Sequence, residues 1–166
     1  AGDLYQRRGR TAEAKVYYER AMQLEEKSDY CAEAGWRIGW MARQAGDTKT
    51  ASKVWKALLE DQACLNDPAD KARISFWLGV IAHDADLQDE ALSHWKYTAL
   101  NFPLSFYAQR AAQRIHAVSA GDFEELKKDL SPPTDGGSQQ YCTEGLDSSA
   151  LRSAIALHSL GLNRLA

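Results

Sequence analysis

No apolar run in the 166-residue sequence approaches the roughly 18 residues a membrane helix needs, so no span is expected. Charge of one sign is also missing. The 20 basic and 23 acidic residues leave a net −3, which gives no electrostatic footprint for nucleic acid or an anionic membrane surface. Arg7, Arg8 and Arg10 form the only dense basic cluster, and a solvated helix end accounts for them. Cysteine is sparse: Cys31, Cys64 and Cys142 contain no CxxC pair and no zinc spacing, and an odd number cannot all pair within one chain. Cys31 and Cys64 can each be small buried residues. A disulfide between them is conceivable in an exported chain, although the sequence does not place their Cα atoms. No signal peptide is present, and both ends fall inside a repeat, so an excised piece of a longer chain is expected.

Catalytic patterns are absent as well. There is no HExxH, no glycine-rich phosphate loop and no Ser/His/Asp arrangement with a local signature. His83, His94, His116 and His158 each stand alone on a helix, ordinarily a surface or boundary position. Asp84, Asp86, Asp89 and Glu90 gather around one helix turn, where capping and the macrodipole explain them. No catalytic residue, cofactor site or metal site is expected.

Strand-like alternation is the last absence, and what remains is helical. Residues 71–115 read as three short antiparallel helices. The first has Ile74, Leu78, Ile81, Ala82 and Ala85 on one face, and Asp86 ends it while serving equally as N-cap for the next. The second carries Ala91, Leu92, Trp95, Ala99 and Phe102 before Pro103 stops it; the third buries Leu104, Ala108, Ala111, Ala112 and Ile115. This unit recurs. Gly9-Arg-Thr-Ala-Glu-Ala14-Lys-Val-Tyr-Tyr18, Gly46-Asp-Thr-Lys-Thr-Ala51-Ser-Lys-Val-Trp55 and Asp86-Leu-Gln-Asp-Glu-Ala91-Leu-Ser-His-Trp95 superpose without a gap. Each sets an aromatic ring one helical turn below a small residue. Ala14 and Ala51 are 37 residues apart, and Ala51 and Ala91 are 40 apart. Gly161-Leu-Asn-Arg-Leu-Ala166 opens the pattern again 75 residues after Ala91, so one degenerate repeat is expected between them.

The remaining chain fits around these units. Residues 3–8 read as a helix end with Gly9 at C′. Residues 11–26 form a second helix, with Ala14, Tyr17, Tyr18, Ala21 and Leu24 inward and Glu25-Glu26-Lys27 in solvent. The helix from Ser28-Asp29 to about Ala45 carries two stripes: Ala34, Ile38, Met41, Ala42 and Ala45, and opposite them Trp36, Trp40 and Arg43. Two apolar faces need two neighbours, and packing outweighs a tryptophan-lined groove as the explanation. Gly46-Asp47 caps a helix with Ala51, Val54, Trp55, Leu58 and Leu59 inward, and Asp67-Pro68 starts the next. Gly121-Asp122 starts a short helix to about Leu130. Residues 131–146 read as a loop or linker, and 147–166 as a further helix, with Leu151, Ile155, Ala156 and Leu160, and a truncated repeat. The expected fold is all-α, antiparallel helix pairs stacked as a solenoid, with residues 1–130 as its body.

The spacing of glycine, alanine, aromatic and proline resembles the tetratricopeptide repeat: Gly79, Ala91, Trp95 and Pro103 in one unit, and Gly39, Ala51 and Trp55 in the unit before it, where no proline matches. That resemblance implies a superhelix whose inner helices hold a partner protein's peptide. Carried over by position, the concave face would include Glu33, Trp36, Trp40, Arg43 and Gln44 from one repeat, and Arg73, Phe76, Val80, His83 and Asp84 from the next.

A second resemblance is more specific. Ala72-Arg-Ile-Ser-Phe-Trp-Leu-Gly79, Asn101-Phe-Pro-Leu-Ser-Phe-Tyr-Ala108 and Ala112-Gln-Arg-Ile115 are similar to the superhelix of soluble lytic murein transglycosylases, bacterial periplasmic enzymes. Residues 151–166 are similar to the next segment of that superhelix. The family's catalytic unit is lysozyme-like, with a glutamate in a Glu-Ser context upstream of a glycine and a methionine-glutamine motif. Neither word occurs here: Glu144-Gly does not fit, and no methionine follows Met41. The resemblance therefore implies a non-catalytic periplasmic scaffold that helps present peptidoglycan glycan strands to a parent lytic transglycosylase. The alternative is a free-standing tetratricopeptide module for a protein or peptide partner.

Overall fold

A computed structural model of the chain describes residues 2–23 and 29–130. Among the described residues there are eight α-helices and no strand: α1 (Gly2–Arg7), α2 (Thr11–Met22), α3 (Asp29–Gln44), α4 (Thr48–Glu60), α5 (Pro68–Asp84), α6 (Gln88–Asn101), α7 (Phe106–Val118) and α8 (Ala120–Leu130). The chain is all-α over this span. The readings for Leu24, Glu25-Glu26-Lys27, Cys142, His158, the loop at 131–146 and the helix and truncated repeat at 147–166 lie outside the described residues.

Helices pack as consecutive pairs, α1 on α2, α3 on α4, α5 on α6 and α7 on α8, and each pair also meets the next. The α3–α4 pair is antiparallel: Gly35 lies against Leu58, Gly39 against Trp55, and Cys31 is joined to Cys64. The first three pairs turn identically. Gly9 (φ 72°), Gly46 (φ 82°) and Asp86 (φ 60°) take the left-handed conformation. The residue after each, Arg10, Asp47 or Leu87, donates its N–H to the carbonyl of Tyr5, Ala42 or Ala82 at 2.9 Å. This is the six-to-one bond of a Schellman turn, which satisfies carbonyls orphaned at a helix end. Asp86 is therefore not the N-cap expected for it. Leu87 holds that place in α6 without a side-chain bond, and Asp86 occupies the glycine-equivalent position of the turn.

Behind each turn the same packing repeats. Ala14, Ala51 and Ala91 are fully buried, as are Trp55 and Trp95, with Tyr18 nearly so. Trp55 Nε1 donates to the Trp36 carbonyl (3.3 Å) and Trp95 Nε1 to the Phe76 carbonyl (3.2 Å). Each indole crosses to the partner helix where that helix has glycine: a Cβ at Gly39 or Gly79 would overlap the ring. Tyr18 lies over Gly2 in the same manner, and its hydroxyl donates to Asp3 (2.7 Å) and lies 2.9 Å from the Gln6 side-chain oxygen. The buried hydroxyls of Ser75 and Thr98 both donate to the His94 carbonyl, the first tying α5 to α6 and the second lying within α6.

Among the described residues three core clusters result, around Ala14 and Tyr18, around Trp55 and Leu65, and around Trp95 and Ile115; Trp77 packs against the last two. Asp67 caps α5 with Pro68 in its first turn, as expected. Elsewhere the sequence misplaced boundaries. Leu104 is 60% exposed and precedes α7, because Ser105 caps that helix by accepting the Ala108 N–H. The Ser119 hydroxyl, not Gly121, organises the start of α8 by accepting from Asp122. Tyr17 is exposed and stacks on Tyr5 at 5.0 Å. The buried Cys31–Cys64 disulfide, with Cα atoms 5.4 Å apart, closes the open end of the α3–α4 pair. No described helix is long and apolar enough to cross a membrane.

Candidate functional site

The residues expected to face a groove stand on α3 and α5. On α3, Ala34 and Ile38 join the cluster of Ala14 and Tyr18, which leaves Trp36 and Trp40, one turn apart, on the side toward α5. Trp36 stacks on Trp55 (centroids 4.9 Å) and on Trp40 (5.5 Å), and Trp40 meets Trp77 edge-on at 4.9 Å. The series continues from Trp77 to Phe76 (5.8 Å), Tyr107 (5.5 Å) and Phe106 (5.4 Å). An aromatic ladder thus runs from α4 through α3 and α5 to α7. Offset and edge-on ring pairs contribute about 0.5–1.5 kcal/mol beyond burial, so the ladder fastens successive helix pairs together.

Guanidinium groups cover its faces. Arg73 lies 4.4 Å from the Trp36 centroid, and Arg43 lies 4.7 Å from Trp77 and 5.4 Å from Trp40. Both cations meet carboxylates: Arg73 bonds Asp70 (2.8 Å) and Glu33 (3.1 Å), and Arg43 reaches Asp84 at 3.8 Å. Glu33 also accepts from Arg37 at 2.6 Å. Burial pushes the Asp70 carboxyl above its ordinary range, against the pull of Arg73. The ring faces between α3 and α5 are therefore occupied by the protein's own neutralised cations.

Glu33, Trp36, Trp40, Arg43, Arg73 and Asp84 come together in this assembly. His83 is set apart, half-buried 5.6 Å from the Trp95 ring, and Gln44 is exposed at the last residue of α3. Phe76 (6% exposed) and Val80 (4%) are core residues whose outer edges floor a cleft of about 290 Å³ between α5 and α7. Its walls include Trp77, Tyr107, Phe106, Arg110 and Arg114. None of those five was singled out as a site residue from the sequence. The available signal was the spacing of Phe106, Arg110 and Arg114, which recur every fourth residue along one face of α7.

Other features are less open to chemistry. A larger cleft of about 690 Å³ lies between α4 and α6 over Leu78 and Ile81, and the Lys56–Glu90 ion pair (2.7 Å) links the two helices there. The Lys56 hydrogen bond holds the Glu90 carboxyl below its usual range, whereas burial lowers the pKa of neighbouring His94. The Cys31 and Cys64 sulfurs and an Asp61 oxygen lie within 4.8 Å of one another, but the sulfurs are bonded together and are not free to bind a metal. No protein-family model, curated protein or solved structure matches this chain.

Proposed function

We propose that this chain is a non-catalytic helical scaffold, a tetratricopeptide-like solenoid of the kind that soluble lytic murein transglycosylases set beside their catalytic domain. The observation that carries the reading is the hinge made three times at Gly9, Gly46 and Asp86, each followed by a buried alanine and a buried ring. Units that present one face to the pair before and another to the pair after stack into an extended surface. The Cys31–Cys64 disulfide supports an oxidising compartment such as the periplasm, since such bonds are rare in the cytosol of mesophiles. In this reading the chain helps a parent enzyme present glycan strands and cleaves nothing itself.

An immunoblot of fractionated host cells, with an antibody to this segment, tests the assignment. A periplasmic polypeptide several times larger than this chain is the expected result, and a cytoplasmic band of this size overturns it. The second reading, a module that binds a protein partner, is favoured by one observation: the α5–α7 cleft is flanked by arginines that carry no described carboxylate.

A further inference from the structure

The four arginines along the aromatic ladder fall into two kinds. Arg43 and Arg73 lie on indole faces and are neutralised by Asp84, Asp70 and Glu33. Arg110 and Arg114 are exposed, and among the described residues neither meets a carboxylate; each has only a ring beside it, Phe106 at 5.6 Å and Trp95 at 6.0 Å. One helical turn separates them, so both guanidinium groups border the same side of α7. Between them and α5 is the cleft floored by Phe76 and Val80, and among the described residues no acidic side chain lines it.

We propose that this cleft docks an acidic peptide segment, seating one apolar or aromatic side chain over Phe76 and Val80 and laying flanking carboxylates on Arg110 and Arg114. Its volume of about 290 Å³ lies just under the roughly 300–1,000 Å³ of small-molecule sites, which suits a side chain better than an extended ligand. Planar guanidinium groups take carboxylates in paired, charge-assisted hydrogen bonds. Among the described residues the charges of Arg110 and Arg114 meet no carboxylate, whereas Arg73 bonds Asp70 and Glu33 and the charge of Arg43 is met by Asp84 at 3.8 Å. A neutral glycan could use the rings but would leave both charges without a counterpart. The inference rests on the helical-scaffold reading and not on the cell-wall assignment.

The test uses the full chain and a fluorescein-labelled peptide, Ser-Gly-Asp-Phe-Glu-Gly-Ser, followed by polarisation. The expected result is saturable binding that weakens by at least about tenfold for the isostere Ser-Gly-Asn-Phe-Gln-Gly-Ser. The double variant Arg110→Glu/Arg114→Glu should lose at least about as much. Both positions are exposed, so circular dichroism should show unchanged helix content; that readout separates loss of the site from failure of the scaffold. Equal binding by the amide isostere, or by the folded double variant, overturns the proposal. So does displacement of the peptide by an N-acetylglucosamine tetrasaccharide, which would assign the cleft to glycan.

Discussion

Tyr18 packs where the second and third repeats carry tryptophan, and its hydroxyl gives the first repeat a different chemistry. Burial, and then the hydrogen bond to the Asp3 carboxylate, push its ionisation up to about 12. An unfolded tyrosine loses its proton near pH ~10. The folded chain holds the proton to higher pH, so this contribution to stability is complete below about pH 10 and is lost as pH rises to about 12. Urea midpoints should fall across that window, and Tyr18→Phe should remove that part of the fall; parallel curves for the two proteins would show that the hydroxyl is not linked to folding. Single residues also mark the limit of sequence reading at the site. Trp36, Trp40 and Arg43 of α3 were legible from spacing along one helix, Arg73 and Phe76 of α5 only through the repeat resemblance, and Trp77 not at all. Which arginines are neutralised was not, because Glu33 reaches Arg73 from another helix and Arg110 has no such visitor among the described residues.

Among elements, the repeated turn is the informative unit. Two of its left-handed positions are glycine, and the third is Asp86, an L residue with a Cβ in a conformation that costs roughly 1–2 kcal/mol for most side chains. Asp86→Gly should therefore stabilise the chain by up to about 1 kcal/mol, and Gly46→Ala should destabilise it by about as much. Thermal unfolding of the two variants checks both signs together; a loss in Asp86→Gly would mean that the carboxylate has a role of its own in the turn. The glycine, alanine and aromatic positions were readable because each lies at a fixed distance from the next along the chain. Asp86 was misread because aspartate is the commoner choice for an N-cap, and only the backbone dihedral distinguishes the two positions. Leu104 was misread because a leucine before a helix has the composition of the helix itself, and the boundary is set by the Ser105 hydroxyl one residue later.

For the molecule as a whole, adjoining pairs are joined by rings and ion pairs: Arg73 links α5 to α3, Lys56 links α4 to α6, and Lys96 holds Asp122 and Glu125 of α8. These exposed or half-exposed pairs are each worth at most about 1 kcal/mol, so the aromatic ladder and buried indoles carry most of the coupling. The covalent link is of another kind. Cys31 and Cys64 are 33 residues apart in sequence and 5.4 Å apart in space. Pulled from its two ends, an oxidised chain can peel α1 and α2 from one side and α5 to α8 from the other, but it cannot pay out the α3–α4 pair. At roughly 3.3–3.6 Å per extended residue, that locks away about 100 Å of contour length. Stretching single molecules before and after adding reductant should reveal the difference, and equal lengths would mean the bond is not there. A chain strung between two anchored structures would thus have a maximum reach set by its redox state, shorter when oxidised and longer when reduced.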